Sequence, residues 1–428
     1  MRIAICTLGC KVNQYETQAL EQELARRGHT LVDFEDEADA YIVNSCSVTA
    51  VSDKKSRQML RQAQRRNPGA VVAMCGCYAQ THAEDVKKLA PDVLTGTGDR
   101  LGFLDLIERA ARERQPIVRV DDVWARRRFE VLPAGGMANR TRAMMKVEDG
   151  CVNFCSYCLI PYARGRVRSL PLGEARAQIR ALRDEGYREV VVTGIEISSY
   201  GTDFGDGTGL IDLLELLCRE APDVRIRFGS LEPRTITEEF CIRAAQLPNL
   251  CPHFHLSMQS GCDATLRRMN RKYDTARFLE SCALLRRYFD DPAITTDLIT
   301  GFPEETEEEF AETLAFLPRC GFAAMHIFPY SIRPGTKAAE LRQVPLAVRE
   351  ERAARASAVA AELHRAYLAR CVGKTYAVLF EQDKDGQGVG HAPNNMEVRV
   401  EESGLHNQVR RVRIVGVDGE TLCGTLEE

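Results

Sequence analysis

Glu148-Asp149-Gly150-Cys151-Val152-Asn153-Phe154-Cys155-Ser156-Tyr157-Cys158 brings three cysteines into eight residues, spaced C-x3-C-x2-C. A cubane iron–sulfur cluster has four irons, so a loop offering three thiolates leaves one iron open to another ligand. A structural zinc site with a fourth ligand elsewhere is the competing reading, because thiolates suit both metals. Zinc, however, favours paired C-x2-C knuckles. The loop follows an apolar run at 143–147, the first of six strand candidates; the others are 189–193, 224–228, 253–257, 293–299 and 323–328. Each runs into a polar or glycine-rich end, and helical patterns such as 172–186 and 306–317 separate them. Six such units predict a partial (β/α)6 barrel with its active site at the carboxyl ends of the strands, where the cysteine loop falls.

Upstream, residues 1–100 alternate short apolar runs (2–5, 40–43, 70–74) with amphipathic stretches (14–27, 52–66, 83–89), the pattern of a doubly wound parallel sheet. Cys10, Cys46 and Cys77 each follow one of these runs. In an open α/β sheet the carboxyl ends of the strands form one rim, so these cysteines, distant in sequence, should converge. Cys75 is an alternative to Cys77, since strand alternation would put both on one face. The remaining cysteines lack a partner at ligand spacing. Downstream, a helical stretch at 348–370 leads to β-like runs at 375–380, 397–400 and 409–417, punctuated by Asp-Gly and Gly-rich turns, which predict a small β-barrel. The expected organisation is 1–115, a connector at 116–136, a core at 137–370 and a last module at 371–428: an α/β multidomain chain.

The 428 residues are 44% hydrophobic, enough for packed cores, and 16 cysteines fall far below the density of a disulfide scaffold. The first residues carry no basic stretch followed by an apolar run, and no apolar segment is long enough to span a bilayer. A cytoplasmic protein without membrane contact is expected. A net charge of −4 provides no global basic field, so nucleic-acid binding would rest on local patches. Candidates are Lys54, Lys55, Arg57, Arg61, Arg65 and Arg66 on one helical stretch, and Arg126, Arg127, Arg128, Arg140 and Arg142 beside the first barrel strand.

The cysteine loop, with Tyr157 just before its third cysteine, resembles that of the radical S-adenosylmethionine (SAM) enzymes. That resemblance implies a [4Fe-4S] cluster on Cys151, Cys155 and Cys158 whose open iron chelates SAM, reduction then cleaving SAM to a 5′-deoxyadenosyl radical. It also implies SAM contacts from Tyr157, from Glu196 and Ser198 after the second strand, from Glu232 after the third, and from Asp297, Gly301 and Glu304 in the segment Asp297-Leu298-Ile299-Thr300-Gly301-Phe302-Pro303-Glu304, although Asp297 stands where glycine is often found. The amino-terminal cysteines narrow the match. Thr7-Leu8-Gly9-Cys10-Lys11-Val12-Asn13-Gln14-Tyr15-Glu16, Asn44-Ser45-Cys46-Ser47-Val48-Thr49 and Gly76-Cys77-Tyr78-Ala79-Gln80 resemble the methylthiotransferases, in the branch acting on N6-threonylcarbamoyladenosine of tRNA. The isopentenyladenosine and ribosomal-protein branches carry different residues after the first of these cysteines.

Further segments fit the same family, among them Asn139-Arg140-Thr141-Arg142, Ile160-Pro161-Tyr162-Ala163-Arg164-Gly165 and His255-Leu256-Ser257-Met258-Gln259-Ser260-Gly261. The last module resembles the TRAM barrel that helps such enzymes hold RNA, but Asn395 and Met396 stand where an aromatic residue is common, so base stacking is not expected of it. The resemblance implies a second [4Fe-4S] cluster on Cys10, Cys46 and Cys77, a tRNA substrate, a sulfur donor, and an electron donor such as flavodoxin or ferredoxin. Carbon 2 of a purine is inert to acid–base chemistry, and the two clusters would serve methylthiolation there. Alternatives are methylthiolation of isopentenyladenosine tRNA or of a ribosomal-protein aspartate, and, in a different class, a non-catalytic iron–sulfur RNA-binding or electron-transfer protein.

Overall fold

The computed structural model describes residues 1–136 and 141–427. Its first sheet comprises Arg2–Thr7 (β1), Thr30–Val32 (β2), Ala40–Ser45 (β3), Val71–Gly76 (β4), Val93–Thr95 (β5) and Ile117–Arg119 (β6). The order is β2-β1-β3-β4-β5-β6 and every pairing is parallel. Strands β3 and β4 are buried at every position, which explains their unbroken apolar runs: helices cover both faces of a parallel sheet. Helices Lys11–Arg26 and Arg100–Glu113 pack Leu20, Leu24, Phe103 and Ile107 on one face, while Ala50–Arg66 puts Leu60 and Ala63 on the other. The sheet is therefore doubly wound, as expected. The strand order reverses between β1 and β3, which opens a crevice at their carboxyl ends, the usual ligand position in such sheets.

The core follows with Arg142–Asp149 (β7), Arg168–Ser169 (β8), Glu189–Gly194 (β9), Arg225–Phe228 (β10), Ser230–Leu231 (β11), His253–Gln259 (β12), Ala293–Thr300 (β13) and Ala324–Pro329 (β14). They form two sheets, β10-β9-β7-β8 and β11-β12-β13-β14. Gly229 alone separates β10 from β11, so six parallel strand positions curve into an open barrel, with β8 as a short antiparallel addition to β7. The helix Leu346–Cys371 runs beside β14 and β13. It leads into Thr375–Lys384 (β15), Gln387–His391 (β16), Glu397–Val400 (β17), Val409–Asp418 (β18) and Thr421–Leu426 (β19), closed as β15-β16-β17-β19-β18. No helix among the described residues is long and apolar enough to cross a membrane.

Buried charge joins the parts. Glu16, from the helix after Cys10, pairs with Arg100 at 2.6 Å, with Lys146 of β7 at 2.8 Å and with Arg164; Lys146 also reaches Asp149 at 2.8 Å. All of these side chains are at least nine-tenths buried. At the opposite end of the strands, Arg142 pairs with Glu381 at 2.6 Å, and Arg225 and Arg227 donate to backbone carbonyls of His391 and Pro393. Arg142 was expected beside the active-site mouth; it instead stands at the amino end of β7 and ties the last barrel to the core. Arg126 is likewise committed, to Asp121 at 2.5 Å and to Thr97 at 2.8 Å. Asn139 and Arg140 lie outside the described residues.

Candidate active site

The first cysteine set is built by backbone ends. Cys10 caps the helix Lys11–Arg26, Cys46 directly follows β3, and Cys77 opens the short helix Cys77–Thr81. Cys10 and Cys46 thus flank the point where the strand order reverses. Two glycines let the thiols approach. At Gly9, with φ +103°, a Cβ would stand 2.5 Å from Cys46 Sγ; at Gly76, with φ +98°, it would stand 2.3 Å from the Ser45 carbonyl oxygen. Gly76 also separates the two candidates for the third position. Strand β4 ends there and the chain turns, so Cys75 points into the sheet core, 3.8 Å from Asn44 Oδ1, while Cys77 reaches the rim.

Burial pushes the Cys77 thiol up to about 11 against the opposing pull of the Arg164 guanidinium, and the nearby Cys10 and Cys46 add to the rise. Cys46 is raised in the same sense by burial, its sulfur accepting from the Val48 N–H at 3.4 Å.

The second set sits on the loop after β7. Cys151 N–H donates to the Gly165 carbonyl, Cys158 N–H to that of Cys155, and the Cys158 sulfur accepts from Ile160 N–H at 3.4 Å. Phe154, at φ +49°, makes the turn, and Asn270 Nδ2 clamps its carbonyl at 2.8 Å. Arg271 Nη1 donates to Cys155 Sγ at 3.2 Å. Burial pushes Cys158 up to about 12, with contributions from Cys155 and, across the domain boundary, from Cys77. The two sets therefore lie within each other's electrostatic reach, and Arg164 bridges them: it sits six residues beyond Cys158, faces Cys77 and binds Glu16.

Burial thus disfavours the thiolate at Cys46, Cys77, Cys151 and Cys158, and a coordinated metal deprotonates a thiol outright. Three thiols in each set, with no fourth thiol joining either set among the described residues, and a guanidinium facing one sulfur fit a cubane with one open iron.

Around the second set, Asn153 Nδ2 donates to Glu196 Oε2 at 3.2 Å, and Ser198 Oγ accepts from the Glu232 N–H at 2.8 Å. Burial raises the Glu196 carboxyl, opposed by Arg271 and supported by Glu232, so these polar groups share one recess beside Cys155. Tyr157 packs edge-on against Phe302, with centroids 6.1 Å apart. Gly301 and Glu304 stand further off. A Cβ on Gly301 would fall 2.2 Å from Arg349 Cγ, so the close packing of the long helix accounts for that glycine. Glu304 donates its backbone N–H to Arg342.

Asp297 faces a different space. Its carboxylate meets His255 Nε2 at 3.2 Å and His326 Nδ1 at 3.3 Å; burial would raise it, but these histidines hold it well below the usual range. It lines a cavity of about 1300 Å³ whose wall comes from every part of the chain: Cys10 and Lys11, Ile160, the inner faces of β12 to β14, and Asn395 and Met396. A second cavity, of about 1020 Å³, lies between Arg188, Asn249, Lys374 and Asn407 at the amino ends of the strands, away from both cysteine sets.

The sequence reading assigned no role to Lys11, Arg164, His255, Arg271 or His326. Arg164, a charge inside the apolar turn that follows the cysteine loop, was the one with a visible signal. Outside the cavity, Trp124 stacks on Phe154 with centroids 5.8 Å apart and planes 5° apart, Arg166 lies over Trp124, and Phe154 and Tyr162 are exposed.

Residues 145–317 match the Radical SAM superfamily, and residues 2–96 match the uncharacterized protein family UPF0004. The chain is similar to the threonylcarbamoyladenosine tRNA methylthiotransferase MtaB of Bacillus subtilis (strain 168), 39% identical over 92% of this chain and 89% of that protein. The Aquifex aeolicus (strain VF5) protein of the same name is 38% identical over 82% and 86%. A tRNA-2-methylthio-N(6)-dimethylallyladenosine synthase of Symbiobacterium thermophilum is 33% identical over 100% and 94%. Among solved structures, the radical SAM methyltransferase TsrM of Kitasatospora setae, with cobalamin and [4Fe-4S] cluster bound, shares the fold at TM-score 0.58 and 14% identity, over 79% of this chain and 77% of that one.

The chain belongs to the radical SAM methylthiotransferase family. It is an enzyme, and its cofactors are iron–sulfur clusters and SAM.

Proposed function

We propose that the enzyme replaces the hydrogen on carbon 2 of N6-threonylcarbamoyladenosine, next to the anticodon of tRNA, by a methylthio group, giving 2-methylthio-N6-threonylcarbamoyladenosine. The observation that carries this reading is that two three-cysteine sets lie within each other's electrostatic reach, with Cys10 of one set and Ile160, two residues beyond Cys158 of the other, lining one cavity shared by all parts of the chain. The relatives named for threonylcarbamoyladenosine support the choice of nucleoside. When bound, the two clusters and SAM supply a radical to take the hydrogen and a sulfur to replace it.

Cys151, Cys155 and Cys158 would hold the cluster that takes SAM, and Cys10, Cys46 and Cys77 the other. Tyr157, Glu196, Ser198 and Glu232 border the SAM recess. Asp297 lines the substrate cavity, while Gly301 and Glu304, at and beyond the end of the same strand, pack toward the long helix and Arg342. Arg271 steadies negative charge on the Cys155 sulfur through its hydrogen bond. Arg164, anchored on Glu16, holds the two cysteine sets in one register and offers positive charge to Cys77. Phe154, Tyr162 and Trp124 present a stacking surface for bases flanking the target. The barrel at 371–428 serves as a TRAM-type RNA module, placing Asn395 and Met396 at the cavity. Electrons come from a flavodoxin- or ferredoxin-like donor and sulfur from a separate donor, and the reaction proceeds in the cytoplasm with its tRNA.

Anaerobic reconstitution should yield about eight irons per chain. A deletion strain should lack 2-methylthio-N6-threonylcarbamoyladenosine in its tRNA hydrolysate; an undiminished level rejects the reading. A Cys151→Ala/Cys155→Ala/Cys158→Ala variant that still formed 5′-deoxyadenosine would sink the assignment of the SAM-binding set.

A further inference from the structure

We propose that Lys11 forms a carboxylate-binding subsite of the substrate cavity and selects a nucleoside carrying an anionic N6 substituent. The inference rests on the nucleoside assigned above and names the residue that recognises it. Lys11 follows Cys10 directly and lines the cavity with it. Its side chain is solvent-exposed where it lines the cavity, and its ammonium has no ion-pair or hydrogen-bond partner among the described residues, so it is free to meet an anion that enters there. The charged or titratable neighbours that bear on it are Arg227, Arg142, Glu189 and the cavity-lining His253 and His326. Glu189 is already engaged: Arg225 lies at 2.6 Å, Arg227 at 2.8 Å and Arg142 at 3.8 Å. The acids on the cavity wall are no more available. Asp297 is held by two histidines, Glu397 accepts from Thr421, and Glu420 stands at no ion-pair distance from Lys11. The cavity therefore carries an unanswered positive charge at one defined place.

The place suits the substrate. Carbon 2 and the N6 group flank N1 on the same edge of adenine. A side chain adjacent to Cys10, on the cysteine set that faces the reacting carbon, is therefore on the side from which the N6 substituent extends. The threonylcarbamoyl group ends in a carboxylate, which would complete the ion pair Lys11 lacks. An apolar dimethylallyl group would leave the ammonium desolvated and unpaired, which discriminates against it. The same logic excludes a neutral ester of the right shape.

The test compares anticodon stem-loop RNAs carrying threonylcarbamoyladenosine as the free acid or as its methyl ester, with the full-length, cluster-loaded enzyme. Dissociation constants come from fluorescence anisotropy, and kcat/KM from formation of the 2-methylthio product. The wild type should favour the acid over the ester by about tenfold or more, equivalent to about 1.4 kcal/mol. Lys11→Gln should bring that ratio close to one, chiefly by weakening the acid, while Lys11→Arg should retain most of it. An unchanged ratio in Lys11→Gln, equal binding of acid and ester by the wild type, or equal loss of both RNAs in Lys11→Gln and Lys11→Arg overturns the inference. If the wild type methylthiolates a dimethylallyladenosine stem-loop and not the threonylcarbamoyl one, the substrate reading itself fails and the subsite with it. If it methylthiolates the threonylcarbamoyl RNA and the ratio ignores Lys11, only the subsite fails.

Discussion

At position 9 a methyl group has no room: the place where it would stand is 2.5 Å from Cys46 Sγ and 2.6 Å from Cys46 Cβ, and the backbone is at φ +103°. Gly9→Ala must therefore displace Cys46 or twist the turn that carries Cys10, while the loop after β7 stays untouched. The expected outcome is a reconstituted protein holding roughly half the wild-type iron, with SAM-binding capacity retained; iron and sulfide analysis beside SAM titration checks it. Phe154 is a different case, since its exposed ring stacks on Trp124 and contributes little to any core. Phe154→Ala should weaken stem-loop binding by about 1–3 kcal/mol, read by anisotropy, at unchanged iron content. The placement of the cysteines at the strand ends was legible because strand ends are readable from apolar runs. The choice between Cys75 and Cys77 was not, because alternation holds only while the strand lasts; Gly76 ends β4 and reverses the direction of the next side chain. Nor was the meeting of Asp297 with His326 legible: they are direct partners across β13 and β14, and register appears only once the sheet is formed.

Elements long enough to show a period were readable within a few residues. The helix expected at 348–370 spans Leu346–Cys371, and the strand expected at 293–299 spans Ala293–Thr300. Strands β2, β5 and β6, three residues each, were not, since so short a run has no periodicity and owes its conformation to the pairing edge. The coupling between elements was equally hidden. Glu16 looks like one more polar residue on an amphipathic helix, yet it is fully buried among Arg100, Arg164 and Lys146. Burial alone would raise its carboxyl, and the three cations outweigh burial and hold it well below the usual range. A carboxyl whose pKa is lower in the folded than in the unfolded chain contributes stability above the unfolded value and loses it as pH falls through the folded one. Acidification below about pH 5 should thus lower the unfolding midpoint. Glu16→Gln should flatten that dependence and cost about 3–5 kcal/mol near neutral pH, because it leaves buried cations without their anion. Denaturant titrations of both proteins at several pH values measure it.

On the scale of the whole molecule, an acidic protein must hold a polyanion. With 57 basic against 61 acidic residues, long-range attraction is absent, and the basic side chains near the site are largely spoken for: Arg57 by Tyr78, Arg66 by Glu35, Arg126 by Asp121 and Arg142 by Glu381. Lys54, Lys55, Arg61 and Arg65 remain exposed on the helix Ala50–Arg66, with no ion pair among the described residues. That helix begins against the barrel rim. Ala50 N–H donates to Ser331 Oγ at 3.1 Å, and Asp53 pairs with Arg333 at 2.8 Å, so its free charges flank the loop after β14. Four phosphate contacts would give a slope of about −3 in log affinity against log salt concentration. Stem-loop binding should follow that slope, and Lys54→Ala/Lys55→Ala/Arg61→Ala/Arg65→Ala should flatten it while weakening acid and ester RNAs alike. The acid-to-ester ratio should survive the quadruple change, because phosphate contacts position an RNA and carry no information about its bases. Iron content should not respond to salt over the same range, since the ion pairs holding the cysteine sets together are buried and poorly screened. A steep slope that persists in the quadruple variant would place the RNA path on another face.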